Sequence, residues 1–272
     1  MNRDPHINVH LKKGDYLAPK YQTCDYGNLL IGLTEYNTPL ETGIWHFHEN
    51  PMISFVLYGS NIEFRKGKVV TRNTGSTNFY NAHEVHKNIY KSFPSKHISI
   101  ELEQEFIKKY NYKESEIESV IQQNQNTPVT FINLMSELQH NDSQSSSTVE
   151  MLFLEFMEKS FNLKNINKFP YWMKTVEELL NDRWNENISL TELAHLCDIH
   201  PTTISKNFRK YFQYTYGEYT RRLKVIGSLN YLRSSEYSIT EIAYLCGFSD
   251  HSHFTRVFKS IIGYLPKDYS KV

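Results

Sequence analysis

A chain of 272 residues that is 39% hydrophobic and 14% aromatic can fill two ordinary cores, which excludes a disordered polymer. Its 30 basic and 30 acidic residues cancel, which argues against a uniformly basic coat for nucleic acid. No run approaches the ~18 apolar residues of a membrane span, the first residues lack the apolar core of a secretory signal, and Cys24, Cys197 and Cys246 are too scattered for a disulfide framework or zinc knuckle, so a cytoplasmic protein with no membrane partner is expected.

To about Glu103 the chain reads as β. Short apolar runs (Leu29-Leu30-Ile31, Ile44-Trp45, Ile53-Ser54-Phe55-Val56-Leu57) are separated by Gly, Asn and Pro, and 97–102 alternates as a half-buried strand should. Many short strands with turn signals between them point to a sandwich or barrel. Apolar positions three and four apart then predict helices over Glu114–Gln123, Val129–His140 and Thr148–Phe161, with a polar loop at Asn141–Ser147. In the last helix Val149, Leu152, Phe153 and Phe156, widened by Met157 and Phe161, form a stripe broad enough to predict a homodimer through the N-terminal half. The weakly patterned 163–168, ending at Phe169-Pro170, is the linker candidate. The expected domains are therefore 1–165, with β structure to about 104 and helices from 105, and an all-helical 171–272.

The strongest signal is an internal repeat. Residues 189–197 (SLTELAHLC) match 238–246 (SITEIAYLC) almost position for position, and the match resumes one residue out of step, Ile204 with Phe254, Lys206 with Arg256 and Phe208 with Phe258. Each copy opens with a Ser-x-x-Glu capping box and reads as helix, tight turn, helix, with Gly247 suited to the turn. Ile199, Ile204, Phe208 and Tyr211 form the inner face of one copy, and Phe248, Phe254, Phe258 and Ile261 that of the other. A long helix carrying Tyr219, Leu223, Ile226, Leu229 and Leu232 or Arg233 on one face joins them.

The outer faces carry Thr202, Thr203, Ser205, Lys206 and Arg209, then His251, Ser252, His253, Thr255, Arg256 and Lys259. Hydroxyl, imidazole and cationic groups with few carboxylates suit base edges and phosphates of double-stranded DNA. Arg221, Arg222 and Lys224, near the start of the joining helix, are further candidates for phosphate. From Ser189 onward eleven basic residues face seven acidic ones, a net charge of about +4 that the rest of the chain offsets.

From about Tyr171 to Val272 the chain resembles the DNA-binding domain of the AraC/XylS family of regulators. The resemblance rests on Ser238-Ile239-Thr240-Glu241-Ile242-Ala243, Cys246-Gly247-Phe248-Ser249-Asp250, 254–259, Gly263 and Pro266-Lys267-Asp268-Tyr269. It implies a transcription regulator, with RNA polymerase as partner if it is an activator, whose two recognition helices read adjacent major grooves. Its base-facing positions would fall at Thr202, Ser205 and Lys206, and at His251, Ser252, His253, Thr255 and Arg256.

The same family often carries a cupin-like barrel in front, followed by dimerising helices. Trp45-His46-Phe47-His48-Glu49 and Asn81-Ala82-His83-Glu84-Val85-His86 resemble the two cupin motifs. Strand alternation puts His46 and His48 on one face and Glu49 on the other. Three readings stay open: a pocket for a small-molecule effector lined by Trp45, His46, His48, Tyr80, His83 and His86; a zinc, nickel or iron site at His46, His48 and His86; or histidines that only line the core. The expectation is no cofactor, no resident metal and no enzyme, since neither an intact carboxylate ligand nor a substrate-positioning constellation is visible. The alternative is a cupin-type metal-binding sensor or enzyme fused to a DNA-binding domain.

Overall fold

A computed structural model describes residues 9–38, 43–65, 67–123, 127–140, 142, 144–165, 170–212, 214–234 and 236–269. The chain divides into two units, Met1–Ser160 and Phe161–Val272.

The first unit opens with β1 (Val9–Leu11), β2 (Lys20–Asp25), β3 (Leu29–Tyr36), β4 (His46–His48), β5 (Met52–Arg65), β6 (Lys68–Asn73), β7 (Thr77–Tyr80) and β8 (His86–Leu102). They form one curled sheet in the order β1-β4-β8-β3-β2, with β5 pairing β6, β7 and β8. The long strands are longer than their apolar runs, because β5 passes Gly59 in a left-handed conformation (φ 89°) and shifts register against β8 between Val56 and Asn61. One face buries Ile31, Ile53, Phe55, Ile98 and Ile100.

Four helices follow, α1 (Gln104–Lys109), α2 (Glu114–Gln123), α3 (Thr127–His140) and α4 (Ser145–Asn165). Phe131 of α3 stacks on Phe55 at 5.3 Å, and Phe153 of α4 meets Phe106 of α1 edge-on at 5.5 Å. This alters one expectation. Val149, Phe153, Phe156 and Met157 are all buried within the single chain, so the stripe that predicted a dimer face is consumed by the chain's own core. Leu152 is only half-buried, and the side chain of Phe161 lies outside the described residues. The expected loop is also shorter, since α4 begins at Ser145, and the expected linker begins inside α4; 166–169 are not among the described residues.

The second unit is helical: α5 (Tyr171–Asp182), α6 (Leu190–Leu196), α7 (Pro201–Phe212), α8 (Tyr216–Ser234), α9 (Ile239–Leu245), α10 (His251–Ile262) and α11 (Pro266–Tyr269). Helices α6–α7 and α9–α10 are the two copies of the repeat. Both turns close alike: the amide of Ile199 reaches the carbonyl of Ala194 at 2.9 Å, and that of Phe248 reaches Ala243 at 2.9 Å. The left-handed residue this closure needs is Gly247 (φ 73°) in one copy and Asp198 (φ 53°) in the other. The extra residue of the second copy lies after its turn, where Asp250 caps α10 by accepting from the His253 amide at 2.7 Å.

Candidate functional site

Why α7 and α10 have two unlike faces follows from their apolar rows. Ile204, Phe208 and Phe212, and likewise Phe254, Phe258 and Ile262, recur every four residues and are buried. The last residue of each row differs from expectation. Tyr211 and Ile261 are only half-buried, because the buried row keeps strict four-residue steps to the helix end. Ile199 packs at the margin of the first core. In α8 Tyr219, Val225, Leu229 and Leu232 are buried, Leu223 and Ile226 are half-buried, and the Arg233 side chain lies outside the described residues.

Opposite these rows Thr202, Thr203, Ser205, Lys206 and Arg209 are exposed on α7, and His251, Ser252, Arg256 and Lys259 on α10; His253 and Thr255 are half-buried. Local contacts orient several of them. The Arg256 Nε donates to the Ser252 carbonyl at 3.4 Å, Thr255 Oγ1 lies 3.3 Å from His251 Nε2, and the His253 ring meets Phe248 edge-on at 5.4 Å. His253 therefore also seals the second core. On α8, Arg221 is half-buried and Arg222 stacks its guanidinium on the Tyr214 ring at 4.2 Å.

Two sequence readings need correction. Lys224 is only 6% exposed, its Nζ donating to the carbonyl of Gly247 at 2.9 Å and to the Asn187 side chain, so it is committed inside the domain rather than to phosphate. Burial lowers its pKa. The capping box is complete only in α9, where Ser238 and Glu241 satisfy each other's amides. In α6 Ser189 accepts from the Glu192 amide, but the Glu192 carboxylate lies 3.5 Å from Arg183 instead. Cys246 is fully buried beside these helices, and burial pushes its thiol up to about 12.

Residues 193–271 match the profile of a family described as a helix-turn-helix domain. The chain is 28% identical over 131 residues to the HTH-type transcriptional activator RhaS of Escherichia coli O139:H28, covering 47% of each. Over its C-terminal part the chain is thus similar to regulators of the AraC/XylS family. It is also 25% identical over 241 residues to RhaS of Shigella sonnei, covering 82% of this chain and 86% of that one. The match spans about half the length of the curated relatives that align first. Among solved structures, ToxT from Vibrio cholerae aligns over 90% of this chain and 98% of its own at 15% identity, with a TM-score of 0.37. The residues that the sequence reading assigns to DNA all lie on α7, α8 or α10.

A second cluster lies in the first unit. His46, His48 and Tyr80 line a cavity in the sheet with His86, Arg72 and His97. His46 pairs with His86 across β4 and β8, and the ring centroids of His46, His48 and His86 lie 4.3–5.5 Å apart. Burial lowers the pKa of all three, to about 3 for His48, where the neighbouring His46 adds to the effect. Tyr80 stacks on His86 at 4.0 Å, and its hydroxyl donates to Glu63 at 2.7 Å while accepting from Arg72 at 2.9 Å.

Trp45 and His83, expected in this pocket, do not line it. Alternation along β4 turns Trp45 away from His46, and Lys87 lies over its ring at 5.0 Å. His83 is exposed in a turn, with a left-handed backbone (φ 61°) and its amide bonded to the His48 carbonyl at 2.9 Å. Sequence reasoning missed Arg72 and His97, since neither belongs to a recognisable spacing. Among the described residues no helix is long and apolar enough to cross a membrane.

Proposed function

We propose that the chain is a sequence-specific, double-stranded-DNA-binding transcription regulator. In this reading α6–α7 and α9–α10 are two helix-turn-helix units, with α7 and α10 as recognition helices for adjacent major grooves. One observation supports it above the others: two helices with the same buried four-residue row both turn hydroxyl and cationic groups to solvent, to which α10 adds the imidazole of His251. An ordinary helical bundle would have no reason to repeat that outer chemistry. Lys206, Arg209, Lys259, Arg221 and Arg222 would hold phosphates, and Thr202, Thr203, Ser205, His251, Ser252, His253, Thr255 and Arg256 would read or flank base edges.

The regulator reading divides the chain at 1–165 and 171–272, the first part a cupin-like barrel whose cavity takes a small-molecule effector. The relatives' names favour an activator, with RNA polymerase as partner, and regulation rather than catalysis. A homodimer through the first part belongs to the same reading, carried by a surface other than the buried stripe of α4. The test is retardation of the chain's own upstream region by the full-length protein. Binding should be saturable, sequence-dependent and weaker as salt rises, because phosphate contacts release counterions. Binding to no duplex in a random-sequence selection would overturn the reading.

A further inference from the structure

We infer that His200, the residue before α7, contacts DNA: its Nε2–H donates to a backbone phosphate at the edge of the groove that α7 enters. The inference rests on the reading of α7 as a recognition helix. It adds a residue that belongs to the outer face of neither α7 nor α10.

The start of α7 has no amide of its own to offer. A helix leaves its first N–H groups without partners in the helix, and such amides often meet phosphate themselves. Here the first helical position is Pro201, which has no N–H. The amide of Thr202 donates to the Nδ1 of His200 at 3.2 Å. Those of Thr203 and Ile204 donate to the His200 carbonyl at 2.9 and 3.3 Å. Every amide from 201 to 204 is thus absent or taken by His200.

The bond from Thr202 fixes the ring. An amide only donates, so Nδ1 holds a lone pair and the hydrogen of the uncharged imidazole sits on Nε2. His200 is exposed, and among the described residues no group accepts from its Nε2. The ring therefore accepts from the helix at one edge and presents an N–H at the other. In effect it carries the positive end of the helix outward by its own width.

The second copy shows a cap without that donor. Asp250 precedes α10 and accepts from the His253 amide at 2.7 Å. Amide hydrogen bonds, that of His253 first, hold its carboxyl below the usual range. An ionised carboxylate there steadies the helix and repels phosphate. The two recognition helices thus have like outer faces and unlike ends. A recognition helix reaches the major groove by its N-terminal residues, and Thr202, Thr203 and Lys206 are exposed at that end of α7. The ring lies ahead of the first turn rather than on the outer face, so it meets the strand bordering the groove. A phosphate oxygen, charged and without a hydrogen of its own, is the acceptor that suits it there.

The test uses full-length protein and a duplex that it selects from a random-sequence pool. His200→Asn keeps a capping oxygen and no charge but loses the reach of the ring. It should unfold in urea as wild type does and bind the duplex about 10–100-fold more weakly, the worth of a hydrogen bond to a charged acceptor. His200→Asp copies the cap of the second pair; it should be at least as stable and bind more weakly still. Ethylation interference on the same duplex then locates the contact. Esterifying one particular phosphate should hinder wild type and leave His200→Asn indifferent, while every other hindering phosphate acts on both. Equal affinity of wild type and folded His200→Asn, or an identical set of hindering phosphates, would overturn the contact and leave the regulator reading standing. Loss of folding in both variants overturns it too, by committing His200 to the fold. A wild type that selects no duplex overturns the regulator reading, and this contact with it.

Discussion

The ammonium of Lys224, in the middle of α8, donates to the carbonyl of Gly247 at 2.9 Å, and so holds the turn of the second helix pair from the joining helix. Its other acceptor, Asn187, belongs to the loop before α6, and the Asn185 amide in that loop donates to the Leu245 carbonyl at 3.3 Å. One cation therefore ties together segments from both copies of the repeat. Lys224→Met keeps the length of the stem and takes the charged donor away from the half-buried Gly247 carbonyl and the exposed Asn187 side chain. A loss of about 0.5–1.5 kcal/mol in urea unfolding is expected, the net worth of a hydrogen bond whose acceptor can turn to water. Arg221→Ala, on the same helix, should leave stability nearly unchanged and weaken DNA binding at low salt. Equal stability for Lys224→Met and wild type would show that the bracket carries no load.

Gly247 and Gly263 make a matched pair. Both are left-handed, at φ 73° and 88°, but a Cβ on Gly247 would lie 1.9 Å from the Asn185 carbonyl oxygen, whereas one on Gly263 would meet nothing within 4 Å. Gly263→Ala should cost about 1–2 kcal/mol, the strain of a left-handed residue with a Cβ. Gly247→Ala adds a clash against backbone that cannot rotate away, so its cost should be clearly larger. Denaturant midpoints of the two variants check the order; equal losses would mean that the loop before α6 yields freely. Asp198, at the equivalent turn of the first copy, accepts the left-handed conformation with its short polar side chain.

That contrast marks how far the sequence was legible. The repeat, its turns and the outer faces of α7 and α10 could be read because periodicity and capping are local. Burial of a cation is not local: Lys224 follows Arg221 and Arg222 in a run that looks like a phosphate stripe, and only the return of Gly247 and Asn187 takes it out of solvent. The same holds for Glu192, whose spacing promises a capping box until Arg183 draws its carboxylate aside. The α4 stripe shows width without showing what covers it. In the β unit the alternation of His46 and His48 was legible, but the Glu63–Arg72–Tyr80 network joins residues from three strands with no spacing of their own.

Arg256 separates base reading from phosphate holding. It stands at the position equivalent to Lys206, exposed, with its Nε turned to the Ser252 carbonyl so that the end of the fork faces outward. If that fork spans a guanine edge, Arg256→Ala should cost about 1–3 kcal/mol at the preferred site and relax preference at one base position. Competition against a set of single-base variants reads this directly. A uniform loss across all sequences, with a shallower salt slope, would place Arg256 on phosphate. Lys206→Ala should shift the balance toward the uniform outcome, since a flexible ammonium is a poorer bidentate reader than a planar guanidinium.

Acid should loosen the β unit through His97. Burial, with Arg72 nearby, lowers its pKa to about 3, and its Nε2 lies 2.9 Å from Ser95 Oγ. In the unfolded chain the same imidazole titrates near 6.5. Between these values the unfolded state binds a proton that the folded state refuses, so stability falls as pH falls, by about 1.4 kcal/mol per unit once well below 6.5. Above about 7.5 both states are neutral and the contribution is flat. From pH 7.5 to 5.5 this one residue should remove about 1.4 kcal/mol. His97→Gln keeps a polar group for Ser95 and cannot take up the proton. Its pH-dependent loss over that interval should be smaller than the wild type's by about that amount. The other buried histidines contribute equally to both proteins and cancel in the difference. Parallel losses for the two proteins would mean that His97 is protonated in the fold or that the β unit opens before it titrates.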